Sequence, residues 1–152
     1  MPKVLIFGGT GYLGSAISEN LSLDNSFDLT VNYRNSKKES RFFINKLNQK
    51  VQTVNIDVIN FNDVKKLLED INPDIVIDLT GLVDVSKSTT NPKESFESSA
   101  LTTLNILEAF RILNLDGAYI NHSSDKVYAN NKSPFREDMK LFPDHIYDVG
   151  KL

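Results

Sequence analysis

Five short runs of apolar and β-branched residues, at positions 4–7, 29–33, 51–56, 75–79 and 118–121, punctuate the chain and read as strands buried on both faces of a sheet. Between them lie stretches at 12–23, 36–47, 61–71 and 94–113 whose patterning predicts amphipathic helices. In the last of these Phe96, Leu104, Leu107 and Phe110 recur at helical spacing. Strand and helix take turns and no hairpin signal intervenes. Parallel strands joined by right-handed crossovers are therefore expected, in a doubly wound α/β sheet. Asn72-Pro73 and the polar pieces at 48–50 and 130–132 read as turns.

Composition narrows the function classes. A chain of 152 residues builds one core of ordinary size, so a single domain is expected. A net charge of -3 gives no clustered positive field for a nucleic-acid partner. There is no cysteine, and His122 and His145 stand far apart, so neither a disulfide framework nor a structural metal is expected. The apolar run at 4–7 is too short for a signal peptide, and nowhere do about 18 apolar residues run together. The expectation is a cytoplasmic protein without a membrane partner.

The first chemistry follows the first strand. Gly8, Gly11 and Gly14 stand at GxxGxxG spacing where a helix opens. Missing side chains there permit a tight turn and close approach of a pyrophosphate to the backbone of Thr10, Gly11, Tyr12 and Leu13, with helix N–H groups aimed at the anion. A plain structural turn is the competing reading of the glycines alone; a P-loop is not, since no Lys-Ser or Lys-Thr pair follows them. At the C-terminal end, Tyr147 and Lys151 form YxxxK. On a helix the two share a face, and a nearby ammonium lowers a phenol's pKa from about 10 by roughly 1–3 units, which suits it to acid/base work.

These motifs, in this order, resemble the extended short-chain dehydrogenase/reductases. Ser123-Ser124-Asp125-Lys126-Val127-Tyr128 is similar to the family's S(S/T)xxVYG, with Ala129 for its glycine. Residues 134–138 resemble the P-Y-x-E-D lead-in to YxxxK, and residues 98–109 the helix NVxGTxNLLEA, with Ser99 for its Asn and Thr102 for its Gly. The resemblance implies a Rossmann fold that binds NAD(P), with a sugar nucleotide as substrate. It implies that Ser124 holds the substrate oxygen, that Tyr147 moves its proton, and that Lys151 also binds the nicotinamide ribose. It places Asp57 and Val58 at the adenine, although Asp57 as a cap of the next helix fits the spacing equally well. It places Leu79, Thr80 and Gly81 beside the nicotinamide ribose.

Tyr33 stands where NAD-preferring members carry Asp, and Arg34 follows it as a clamp for a 2′-phosphate. NADP is therefore expected, with NAD as the alternative; Arg34 otherwise reads as one solvated charge among Lys37, Lys38 and Arg41. NADP in turn favours a 4-keto-sugar-nucleotide reductase resembling dTDP-4-dehydrorhamnose reductases. The alternatives are an NAD-retaining epimerase or dehydratase and a non-catalytic NAD(P)-binding regulator. Asp125-Lys126 keeps a dehydratase open, since inverting dehydratases carry that pair; a solvated loop pair is the competing reading. Extended members continue well past YxxxK into a substrate domain, so residues 1–152 are expected to be the NAD(P)-binding domain, truncated before that half. A short final helix should fray, the family homodimer should be weakened, and the piece by itself should bind the cofactor without turnover.

Overall fold

The computed structural model describes residues 1–35, 39–82, 84–128 and 133–152. The expectations on Lys37, Lys38, Ala129, the start of the helix at 36–38 and the turn at 130–132 lie outside the described residues. The chain runs β1 (Lys3–Phe7), α1 (Tyr12–Ser22), β2 (Asp28–Tyr33), α2 (Arg41–Ile44), β3 (Gln52–Asn55), α3 (Phe61–Ile71), β4 (Ile75–Asp78), α4 (Val85–Thr90), α5 (Pro92–Phe96), α6 (Thr102–Leu113), β5 (Ala118–Asn121) and α7 (Ile146–Lys151). All strand pairs are parallel, in the order β3-β2-β1-β4-β5. This is the expected doubly wound sheet.

Alternation along β1 divides the core into two layers. Leu5 and Phe7 face one way, into a cluster with Val64, Leu67 and Leu68 of α3 and Ile106 and Ala109 of α6. Val4 and Ile6 face the other way, with Val31, Phe42 and Leu47, against Ile17 and Leu21 of α1. The inner strands are mostly covered, whereas β3 and β5, at the edges, are mostly exposed, which corrects the expectation of five fully buried strands.

Two helices differ from their patterns. Of the helix expected over 36–47, the described residues from 39 on hold a four-residue α2, which stops where Lys46 turns to φ 54° and starts a 3-10 turn, Leu47–Gln49; Phe42 and Leu47 anchor the segment. The helix expected over 94–113 is α5 and α6 joined by a π-helical turn, Glu97–Leu101. It turns Ser95, Ser99, Thr102 and Asn105 inward and leaves Phe96, Leu104 and Leu107 exposed. Asn72 and Asn114 end α3 and α6 in the left-handed conformation, as punctuation before the next strand. Among the described residues no helix is long and apolar enough to cross a membrane.

Candidate functional site

Strand order reverses at β1, whose neighbours β2 and β4 lead their crossovers to opposite faces, and this opens a crevice beyond the strands' C-terminal ends. The crevice has a volume of about 640 Å³. Every residue expected to touch the dinucleotide lines it: Gly8, Thr10, Gly11, Tyr12, Leu13, Gly14, Tyr33, Arg34, Asp57, Val58, Leu79, Thr80, Gly81 and Lys151, together with Tyr147.

The floor is the bend between β1 and α1. Gly8 has φ +71°, and a Cβ on it would stand 2.9 Å from the Leu79 carbonyl. A Cβ on Gly14 would stand 2.4 Å from the Gly8 carbonyl and 2.6 Å from Gly9 Cα, so α1 packs directly on the bend. Gly11 is the N-cap, with no side chain capping the first turn and no acid within it.

At one end of the crevice Tyr33 packs edge-on to Phe43, with centroids 5.8 Å apart. Asp57 does not cap α3; Asn60 does, accepting from Asn62 N at 3.1 Å. Asp57 instead accepts from Ile59 N at 3.2 Å through Oδ1 and stands 4.0 Å from Arg34 Nη1 through Oδ2. Asn105 Nδ2 donates to the Val58 and Ile59 carbonyls at 2.9 Å each and pins this turn to α6. Arg34, expected as a phosphate clamp or as one solvated charge among several, is half-exposed and has the Asp57 carboxylate beside it.

At the other end α7 is well packed, contrary to the expected fraying: Tyr147, Asp148 and Lys151 are all buried. Asp148 Oδ2 accepts from Asp144 N and His145 N and closes the first turn, while Ser123 Oγ donates to the Lys151 carbonyl at 2.7 Å. The Lys151 ammonium donates to the Thr80 carbonyl at 2.6 Å and to the His122 carbonyl at 3.2 Å. Burial lowers its pKa, against a smaller upward pull from Asp78. Gly81, at φ +138°, makes room for it: a Cβ there would stand 2.9 Å from Lys151 Cε and Nζ.

Ser124 is not in this crevice. It lines an adjoining depression with Ser123, Asp125, Val127 and Tyr128, and His122 borders both hollows. Its hydroxyl accepts from Lys126 N at 3.2 Å and lies 3.3 Å from Asp125 Oδ1. Asp125 and Lys126 are exposed at the start of a 3-10 turn, Asp125–Tyr128.

Sequence reasoning gave no role to Asp78, the residue that organises this end. Its buried carboxylate accepts from Thr80 N (2.9 Å) and Thr80 Oγ1 (2.6 Å) on one oxygen, and from the Tyr119 phenol (2.9 Å) and Thr103 Oγ1 (3.2 Å) on the other. Burial, and next the Asp78 charge, push the Tyr119 phenol well above its ordinary pKa and keep it a donor. An ionisable residue closing the apolar run Ile75-Val76-Ile77 was the signal available, because a buried carboxylate needs several donors. Among the described residues no group of three or more His, Asp or Glu is placed to hold a metal.

Three relatives place the chain. CDP-paratose 2-epimerase of Salmonella typhi is 35% identical over 130 residues, covering 84% of this chain and 38% of its own length. The UDP-Glc/GlcNAc 4-epimerase of Campylobacter jejuni superimposes with a TM-score of 0.87 at 25% identity, over 99% of this chain and 46% of its own. UDP-glucuronic acid 4-epimerase of Bacillus cereus, solved with UDP-glucuronic acid and NAD, superimposes at 0.83 and 25% identity, over 98% and 48%. The chain spans less than half the length of each. The sequence profile described as GDP-mannose 4,6 dehydratase matches residues 5–152, and the chain belongs to that family of nucleotide-sugar epimerases and dehydratases, within the short-chain dehydrogenase/reductases.

Proposed function

We propose that this chain is the NAD-binding domain of a nucleotide-sugar epimerase. The observation that carries the reading is the convergence on one crevice of a glycine bend at a helix N-terminus, the Tyr147 phenol and the Lys151 ammonium. The relatives favour the epimerase alternative over the reductase expected from Arg34, and NAD, with which the Bacillus cereus enzyme was solved, over NADP.

The crevice fits a dinucleotide. A Cβ on Gly11 would meet nothing but the Gly8 carbonyl, at 3.2 Å, and the uncapped N–H groups of Tyr12 and Leu13 remain for a pyrophosphate. Tyr33, Arg34, Asp57 and Val58 take the adenosine; Leu79, Thr80, Gly81 and Lys151 take the nicotinamide ribose. NAD, when bound, would supply the acceptor for a hydride from the sugar carbon and the donor that returns it to the opposite face, which inverts that carbon. Tyr147 removes the proton of the sugar hydroxyl and gives it back, with the Lys151 ammonium one turn along the same helix. Ser124, in the neighbouring depression, holds the sugar oxygen. The exposed Phe96, Leu104 and Leu107 supply an apolar face for a homodimer.

The test has two parts. Calorimetric titration of these 152 residues with NAD gives saturable one-site binding and no turnover of a sugar nucleotide; absence of binding refutes the reading. In the protein that carries this chain, interconversion of CDP- or UDP-hexoses is lost in Tyr147→Phe while NAD is still bound; unchanged activity refutes the catalytic role.

A further inference from the structure

The end of β2 carries Arg34 without the acidic residue that would bond a ribose, a combination that by itself suits a 2′-phosphate. The fold alters that meaning. Strands β2 and β3 pair in register with Tyr33 beside Asn55, so the loops that leave them run side by side and bring Arg34 to Asp57. Resting on the dinucleotide reading above, we propose that Asp57 makes this site select NAD by occupying Arg34 and by repelling the 2′-phosphate of NADP.

The two partners are not equally free. Asp57 is fixed: its Oδ1 accepts from Ile59 N at 3.2 Å, its carbonyl accepts from Asn60 N at 2.9 Å, and the next two carbonyls are held by Asn105. Oδ2 is left for Arg34 Nη1, at 4.0 Å. Arg34 lies in the loop after β2, and its side chain is half-exposed. Both residues line the same end of the crevice as Tyr33, where the ribose 2′ position falls in this reading. A 2′-hydroxyl can donate to a carboxylate. A 2′-phosphate adds a charge of about -1.5 to -2 and cannot, so it must draw Arg34 away while standing beside a carboxylate whose other oxygen is bonded to Ile59 N. The repulsion acts near the surface, where solvent weakens it, and corresponds to discrimination of roughly tenfold at low ionic strength, less as salt is added.

The test is the ratio of NADP to NAD dissociation constants, which cancels any loss common to both. Asp57→Asn keeps an oxygen for Ile59 N, so the turn survives, and it replaces the charged Oδ2 with a neutral NH2. The wild-type chain prefers NAD, and Asp57→Asn brings the ratio down about tenfold. Arg34→Gln leaves the wild-type ratio nearly unchanged, yet added to Asp57→Asn it abolishes the NADP affinity gained, a coupling that independent residues do not show. A wild-type preference for NADP overturns the inference, as does a ratio that Asp57→Asn fails to move. If the wild-type chain binds neither dinucleotide, the functional reading falls and takes this inference with it. Binding of NAD with a ratio indifferent to Asp57→Asn sinks the inference alone.

Discussion

Replacing Asp78 tests whether one buried carboxylate organises the Lys151 end of the crevice. In Asp78→Asn the amide oxygen can keep Thr80 N and Thr80 Oγ1, while the new NH2 faces two hydroxyls, Tyr119 and Thr103, that can rotate to accept. All four contacts survive as neutral bonds. Neutral bonds contribute about 0.5–1.5 kcal/mol against about 1.5–3 for charged ones, and relief from burying a charge offsets part of the loss, so the change should destabilise by about 1–3 kcal/mol. Asp78→Ala abandons the donors. Thr80 Oγ1 retains Thr102 Oγ1 at 2.7 Å, but Tyr119, Thr103 and Thr80 N lose their acceptor, at about 1–3 kcal/mol each where water cannot reach. The three together amount to about 3–9 kcal/mol, a large part of the 5–15 kcal/mol typical of a domain. Urea denaturation at matched m-values reads both variants. Equal losses, or losses under about 0.5 kcal/mol in both, would refute the reasoning, because the carboxylate would then be incidental. Asp78→Asn should also weaken NAD binding several-fold through the Thr80 peptide, whose carbonyl holds Lys151.

Gly81→Ala puts a methyl group 2.9 Å from Lys151 Nζ at a φ that L-residues rarely adopt; NAD affinity should drop about tenfold or more, by calorimetry, and unchanged affinity would show that Lys151 plays no part. Gly14→Ala meets backbone atoms at 2.4 and 2.6 Å, so it should lower thermal stability by several degrees or prevent folding, as circular dichroism would report. Burial makes the Lys151 pKa in the folded chain lower than its ordinary 10.5, so the penalty for holding its charge is complete below the lowered value and is relieved as pH rises through it towards 10.5. Denaturation at a series of pH values should show stability climbing across that window, and Lys151→Met should flatten the climb.

The parts of this protein that were legible in its sequence are those decided by neighbours along the chain. Gly8, Gly11 and Gly14 announce the bend because their spacing between an apolar run and a helical stretch permits the tight turn from β1 into α1. The parallel sheet was legible from alternating apolar runs and helical stretches. What depends on distant partners was not. Arg34 read as a phosphate clamp because Asp57 meets it only after β2 and β3 pair. Lys151 lies 71 residues from the Thr80 carbonyl that holds it, and Asp78 looked like one more strand residue until Tyr119, 41 residues on, met it. Phe96, Leu104 and Leu107 show helical periodicity, but periodicity does not say which face meets the sheet; the small residues Ser99 and Thr102 let the helix approach the β4 loop, and the large ones turned outward.

The central claim is that NAD lies in this crevice with its pyrophosphate on the α1 N-terminus and its nicotinamide ribose near Lys151. An NAD titration followed residue by residue in amide NMR spectra tests it most directly. The account predicts saturable shifts at Gly11, Tyr12, Leu13, Asp57, Gly81 and Lys151, with the far end of α3 unmoved. Saturable shifts confined to other surfaces, or none at millimolar NAD, would contradict it.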